Sequence, residues 1–458
     1  MMPNTDFHLD RLYLHNFRCF SECTIELHPN LTVFVAENGR GKTAILNAIG
    51  IAFGLFVDTV SDSKKNADME RTDVRLAKLF EKMTPFPSTE FRAEGNIAGH
   101  LIKWSRALKG SGSSPRPTTA EAEEFRQIAQ QIHDNVENYK TGDEKVPPIL
   151  PLIAYYGTDR HWSSTSQKES KRAIEEGRSG RMSGYSGCLS ASSSVSAVIA
   201  WYEKTAKEIR DPHYKSALRM NLSLLTAVRE ATRVVIEPTG WSELDWDFEQ
   251  NLLVVEHQDK RRLPLSLLSD GIRNMVALVA DIARRCASLN PHLGEDAARQ
   301  TPGVLLIDEV DLHLHPRWQQ KIIELLQSAF PAVQMVVSTH SPHVLSTVDK
   351  ESIRIIRFNN GDVWLETPQY QTRGVESADV LARIMFVDPV PQVPEAKMLS
   401  DYRALVQTNN YETEDGQKMW EQLVLHFGKD HPLINDLHTM QRFNEFKRAH
   451  EETKKEDA

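Results

Sequence analysis

The run Ala36-Glu37-Asn38-Gly39-Arg40-Gly41-Lys42-Thr43 contains the residue types that hold a phosphate chain. Small residues let the successive backbone N–H groups of Asn38, Gly39, Arg40 and Gly41 curl around an anion. Lys42 can then meet the outer phosphate oxygens, and Thr43 can offer its hydroxyl to Mg²⁺. This is a P-loop, and ATP with Mg²⁺ is the ligand pair it implies. The usual first glycine is Ala36, which the turn tolerates only at negative φ. A second run, Val304-Leu305-Leu306-Ile307-Asp308-Glu309, is four apolar residues ending in two acids. A buried strand would deliver both carboxylates to the carboxyl edge of an open α/β sheet, where phosphate sites lie. Asp308 would hold the metal's water shell, and Glu309 would orient and deprotonate an attacking water. Third, Leu268-Ser269-Asp270-Gly271 precedes an apolar helix starting near Ile272. Ser269 and the amides of Asp270 and Gly271 would form an anion site at its N-terminus, or Ser269 would act as a simple N-cap.

These groups need a sheet behind them. Leu12, Leu14 and Phe17, then Cys23, Ile25 and Leu27, alternate as strands do, and the apolar run Leu31–Val35 feeds the glycine-rich turn. A helix carrying Ile45, Leu46, Ile49 and Ile51 follows. Thr89–Leu108 reads as two strands, 110–117 as a flexible loop, about Thr119–Asn138 as a polar amphipathic helix, and Ile149–Tyr155 as a buried strand. Ser163–Ser194, rich in Ser, Gly, Lys and Arg, reads as a mobile or partner-binding segment. Helical spacing returns over Val195–Glu208 and Tyr214–Val234, with Val195, Val198, Ile199 and Tyr202 on one face. Strands are expected at Arg233–Glu237 and Leu252–His257, alternation to about Thr367, helices from Val375, and a fraying charged tail over Lys447–Ala458. The fold class is therefore α/β: a P-loop head with a parallel or mixed sheet, a helical insertion and a helical C-terminal appendage. The expected divisions are 1–158 and 233–370 for the two parts of the head, 159–232 for the insertion, and 371–458 for the C-terminal module.

The 458 residues are 40% hydrophobic and 26% charged, with mean hydropathy −0.43, values of a folded protein and not of a membrane or disordered chain. A net charge of −9 gives no whole-chain attraction to DNA, so nucleic-acid contact would need a local patch. Lys168, Lys171, Arg172, Arg178 and Arg181 are the candidate. Four cysteines without C-x-x-C spacing argue against a disulfide scaffold or zinc ribbon and for reduced thiols in a cytosol. The opening residues show no secretory pattern, and no apolar run reaches about 18 residues, so no membrane span is expected. His313, His315, His340 and His343 could in principle hold zinc.

Taken in chain order, the P-loop, the Leu-Ser-x-Gly signature, the Asp-Glu strand and Ser338-Thr339-His340-Ser341 resemble the ATPase head of the ABC superfamily. The resemblance implies head-to-tail pairs in which Ser269 and Gly271 of one subunit close on the γ-phosphate held by the other, with His340 as the switch histidine. Asp311–Pro316 falls where such heads place the D-loop, which disfavours zinc. The run EVDLHLHP, Glu309–Pro316, is close to that of the overcoming-lysogenization-defect ATPases and unlike that of transporters. A Q-loop glutamine belongs near Tyr155–Arg160, which contains none. Ser269 follows Lys42 by 227 positions, enough for a short arm or lid and too few for the long coiled coils of chromosome-maintenance and break-repair ATPases. Leu14–Phe20 resembles the first strand of break-repair, RecF and lysogenization-defect heads, where an Arg-Phe element lies near the nucleotide; two core aromatics with a surface arginine are the alternative.

After Glu366 only isolated acids remain, so no Toprim nuclease is legible. Val380–Leu405, with Ile384–Val387 and Pro389–Pro391, resembles the tail of the ATPases of the Septu anti-phage system, including those found with retrons. What this implies is a cytoplasmic ATP-hydrolysing subunit, at least a homodimer around two ATP and two Mg²⁺, restraining an HNH nuclease of the PtuB kind. A reverse transcriptase and the non-coding RNA of a retron, or DNA, would be further partners. A RecF-like or break-repair ATPase and a transporter nucleotide-binding subunit are the competing readings.

Overall fold

Chain pairing begins with β1 (Phe7–Phe17), whose alternate side chains are buried, antiparallel to β2 (Phe20–Glu26). The protein is described by a computed structural model covering residues 7–61, 69–79, 82–109, 116–118, 122–142, 146–158, 180–190, 195–359 and 362–456. After β3 (Leu31–Val35), which is buried along its whole length, come the hairpin β4 (Leu76–Leu79) and β5 (Lys82–Pro85), then β6 (Ser88–Ile97), β7 (His100–Lys109) and β8 (Arg116–Thr118). An antiparallel sheet orders as β2-β1-β6-β7-β8. The remaining strands are β9 (Leu152–Tyr156), β10 (Trp241–Asp247), β11 (Leu252–His257), β12 (Arg262–Pro264), β13 (Gly303–Ile307), β14 (Val333–Thr339), β15 (Ile353–Asn359) and β16 (Asp362–Glu366). β10, β11 and β12 form a small antiparallel sheet, and the six-stranded sheet orders as β16-β15-β3-β14-β13-β9.

Within that larger sheet every pairing is parallel except β15 with β16. β3, β9, β13 and β14 are buried at every position, which explains their unbroken apolar runs. The registers Ile307↔Tyr156, Ile307↔Val337 and Thr339↔Val35 bring four strand ends to one carboxyl edge. The helix Lys42–Val60 leaves that edge and packs inward. Its Phe53 lies 5.7 Å from Phe7 and 5.9 Å from Trp104, and Trp104 stacks on Phe125 at 4.3 Å. This helix is apolar and long enough to cross a membrane, and its apolarity is spent in this aromatic core.

Several elements differ from the sequence reading. Arg233–Glu237 is not a strand: the helix Leu218–Ile236 runs through most of it, because Val228, Ala231, Val235 and Ile236 bury one helical face. Burial overrides the β-preference of its valines and isoleucine. β10 was not anticipated. Part of the Ser/Gly-rich stretch is core: Met182, Tyr185, Cys188 and Leu189 are buried. Arg181, one of the five basic patch candidates, donates to Leu289 O at 2.6 Å, to Asn290 Oδ1 at 3.2 Å and to Pro148 O. It is therefore unavailable to DNA, and burial lowers its pKa to about 10. Lys168, Lys171, Arg172 and Arg178 lie outside the described residues, as do 159–179 and 110–115. The last helix, Pro432–Glu456, continues through most of the tail expected to fray.

The chain divides into two units, Met1–Met385 and Phe386–Ala458. The division falls later than 370/371 because Val380 and Ile384 are buried in the first unit's core. In the second unit the helices Pro394–Gln407, Glu414–Phe427 and Pro432–Glu456 gather around Tyr402, Val406, Leu423 and Leu437.

A buried ionic cluster ties the helix Asp270–Leu289 to the head. Asp281 Oδ1 accepts from Arg284 Nε at 2.9 Å and Nη2 at 2.6 Å, and Oδ2 accepts from Arg285 Nε at 2.9 Å and the Tyr156 hydroxyl at 2.8 Å. Arg285 Nη1 also donates to the carbonyls of Gly184 and Ser186. Burial alone would raise the Asp281 pKa, but Arg285 and Arg284 hold it well below the usual carboxylate range. Asp281→Ala strands two buried guanidiniums and is expected to cost about 3–5 kcal/mol, read as a lower Tm at neutral pH. Because the folded-state pKa is depressed, this contribution is full above the ordinary carboxylate pKa and fades as pH falls, so the gap to wild type should narrow in acid. Equal Tm values at pH 7 would remove the cluster from the stability of the head.

Candidate nucleotide site

The P-loop turns out of β3 and into the helix Lys42–Val60 through two left-handed glycines, Gly39 at φ 74° and Gly41 at φ 96°. Gly41 is doubly constrained, since a Cβ there would stand 2.7 Å from both Cys19 Sγ and Phe20 Cζ. The β1–β2 turn thus forms the floor of the loop. Its Arg18 donates Nε to Asp73 Oδ1 at 2.9 Å. Ala36 has no positive φ, so its methyl group is compatible with the turn. Arg40 pairs with Glu37 at 3.0 Å and covers the Phe358 ring, while Asn38 and Gly39 are exposed. Lys42 is buried and donates Nζ to the carbonyls of Ala36 at 2.8 Å and Glu37 at 3.1 Å. Burial pushes its pKa down, opposed by the nearby Asp308, Glu309 and Asp311.

Strand β13 ends at the same edge, separated from β3 by β14. Asp308 is buried, and its Oδ2 accepts from Thr43 Oγ1 at 2.6 Å. Its other oxygen accepts from Ser338 Oγ at the end of β14, and the same Ser338 oxygen accepts the Glu309 N–H at 2.8 Å. Glu309 is half-buried with φ 47°, a conformation that non-glycine residues hold only where neighbours enforce it. Next, Thr339 Oγ1 donates to Asp311 Oδ1 at 2.5 Å and accepts the Ser341 N–H at 2.9 Å. Ser341 Oγ meets Gln319 Oε1 at 2.7 Å, and Gln319 Nε2 reaches Leu314 O. His340 is half-buried; burial, then the Lys42 charge, pushes its pKa below the usual histidine value, which favours a neutral ring at physiological pH.

Ser269 caps the helix Asp270–Leu289 from an extended backbone, but its hydroxyl makes no capping hydrogen bond, and it is exposed. Asp270 pairs with Arg273. Gly271 packs on the D-loop of the same chain: a Cβ there would lie 2.6 Å from His313 O. The P-loop, Asp308, Glu309 and His340 thus share one sheet edge, and the signature turn joins them through the D-loop backbone. The zinc reading gains nothing, because among the described residues no three His, Cys, Asp or Glu side chains are grouped to hold a metal. His343 Nδ1 is hydrogen-bonded with Ser377 Oγ at 2.8 Å. Sequence reasoning carried Ser338 only as a member of the His340 motif and missed its contacts, and it missed Gln319 and Asp73 altogether. Ser338 could have been suspected from its place at the end of the neighbouring strand, whereas Gln319 and Asp73 had no spacing signal.

A family described as "AAA domain" matches residues 11–218, and one described as "AAA domain, putative AbiEii toxin, Type IV TA system" matches 164–346. The chain is similar to the Retron Ec83 probable ATPase of Escherichia coli, 27% identical across 93% of this chain and 85% of that protein. It is similar also to the Retron Vc95 probable ATPase of Vibrio cholerae serotype O1 biovar El Tor, 24% identical across 89% and 85%. Septu protein PtuA of Bacillus thuringiensis matches more locally, 27% identical over 32% of this chain and 38% of that one. These likenesses support an ATPase related to those of retrons and of the Septu system.

For this ATPase, Ser338→Ala removes the hydroxyl that holds both Asp308 and the Glu309 amide. The expected outcome is a fall in kcat of about tenfold or more with a smaller change in ATP affinity, measured by steady-state hydrolysis beside equilibrium binding. Unchanged kcat would show that the Ser338 contacts are dispensable to the acidic pair.

Proposed function

We propose that this chain binds and hydrolyses ATP in a head-to-tail homodimer, and that the nucleotide state controls a partner HNH nuclease in a retron- or Septu-type anti-phage defence complex. The carrying observation is the 2.6 Å contact between the Thr43 hydroxyl and the buried Asp308 carboxylate at the mouth of the P-loop. A hydroxyl and a carboxylate form a hard oxygen pair without a full protein cage, which fits Mg²⁺, an ion that keeps waters and phosphate oxygens in its shell. Bound there by Thr43 and, through water, Asp308, the ion would supply neutralisation of phosphate charge.

The chain's own residues do the rest. Lys42 exchanges its two loop carbonyl acceptors for phosphate oxygens, while the amides of Asn38, Gly39, Arg40 and Gly41 cradle the phosphates. Glu309, fixed at its amide by Ser338, orients the attacking water and takes its proton. Neutral His340 offers a hydrogen bond to the γ-phosphate. Ser269 and the amides of Asp270 and Gly271 act on the nucleotide held by the second subunit; the exposed Ser269 hydroxyl, uncommitted to its own helix, supports this. The nuclease, the reverse transcriptase with its RNA, and DNA are inferred as partners from the kind of relatives this chain has.

Glu309→Gln should slow hydrolysis by about a hundredfold or more yet retain ATP, and accumulate an ATP-dependent dimer by light scattering. Normal turnover in that variant would take Glu309 out of the role of base. Lys42→Ala and Ser269→Arg subunits, each inactive alone, should regain hydrolysis when mixed, because one intact composite site then forms. Activity no higher than that of either parent would contradict action across the interface. Co-expression with an HNH protein encoded beside this gene should give a stable complex whose DNA cleavage responds to ATP; failure to associate would leave the ATPase without the proposed role.

A further inference from the structure

A cavity of about 560 Å³ opens between the helices Val195–Arg210 and Leu218–Ile236 and the small sheet of β10–β12, sharing no lining residue with the nucleotide site. Three guanidiniums converge on it, those of Arg210, Arg229 and Arg262. One carboxylate holds two of them: Asp245 pairs with Arg229 and lies 3.2 Å from Arg262 Nη2, while Arg229 Nε also donates to the Tyr202 hydroxyl at 2.8 Å. Arg210 Cζ sits over the Phe248 ring, 3.4 Å from its centroid, and Arg210 makes no hydrogen bond or ion pair with another described residue. Trp246 forms part of the wall. It is only 3% exposed, and its indole N–H is buried without a hydrogen-bond partner. The other acids facing the cavity are Asp247, whose carboxylate accepts the Glu249 and Gln250 amides, and Glu249, which is exposed at the rim.

We propose that this cavity binds a nucleotide other than the ATP of the P-loop, either free or as one unit of a single strand. Guanidinium forks select a phosphate, and the Arg210–Phe248 stack offers a flat face to a base. The indole N–H sealed in this wall has no acceptor of its own, and a base or sugar oxygen that reached it would satisfy a donor that is costly to leave unpaired. The volume is that of a small-ligand site. Arg262 begins β12, which leads through Pro264 and the turn Leu265–Leu267 to Ser269, so a phosphate drawing Arg262 from Asp245 reaches the signature turn within seven residues. The cavity's occupancy stands independently of the P-loop reading; only its coupling to hydrolysis rests on it.

The test is calorimetric titration of full-length Lys42→Ala, whose P-loop is silenced, with nucleoside monophosphates and with a short 5′-phosphorylated single-stranded oligonucleotide; wild type saturated with a non-hydrolysable ATP analogue serves as a second background. Binding should persist in both, weaken about tenfold or more in Arg210→Ala, and weaken several-fold in Trp246→Phe, which keeps a ring and removes the N–H. Arg210 is exposed, so its variant should keep the wild-type Tm. Binding of the monophosphates identifies a free nucleotide, and binding of the oligonucleotide alone identifies a strand; either supports the site if Arg210→Ala weakens it. No binding at about 1 mM ligand, or binding indifferent to both substitutions, overturns it.

Discussion

The Asp308 carboxylate, buried at the end of β13, is shared between the hydroxyls of Thr43 and Ser338. Those two hydroxyls belong to the first turn of the helix Lys42–Val60 and to the end of strand β14, elements far apart in the chain. A buried carboxylate without such donors would be expensive, so the contact fixes the phosphate loop against the sheet edge. The Glu309 amide is held by the same serine, so the geometry of the second acid follows from that of the first. Parallel pairing makes this possible, because only parallel neighbours end on the same side of a sheet.

Two further contacts carry that geometry outward. The Gly271 position lies against the His313 carbonyl, so the signature helix begins where the D-loop turns. Farther along the same helix, Asp281 binds Tyr156 at the end of β9 and, through Arg285, the carbonyls of Gly184 and Ser186. The helix is therefore held at its start by the acidic strand's loop and at its middle by the sheet's edge strand. Contacts therefore run from the carboxyl edge of the sheet to the helix that begins after Ser269.

The missing Q-loop glutamine acquires context here. Strand β9 ends beside Asp308, whose amide donates to Tyr156 O at 2.8 Å, yet the side chain it offers is a tyrosine committed to Asp281. The strand end that could sense metal is instead structural, and it binds the signature helix directly.

The sequence by itself determined the strand–loop–helix of the P-loop, the apolar strand ending in Asp308 and Glu309, and the helix that follows Ser269. Each is a local pattern: glycines that permit left-handed turns, apolar runs that demand burial, small polar residues at helix starts. It also made the alternating strands of the opening legible, since alternation reports one buried face. Only the tertiary structure decided that Ser338 serves both acids, that Asp73 receives Arg18, that Arg181 is internal, and that residues 233–236 end a helix. Those outcomes depend on which distant segments meet: a serine's partner and an arginine's exposure have no period in the chain, and β-branched residues follow whichever backbone lets them be buried.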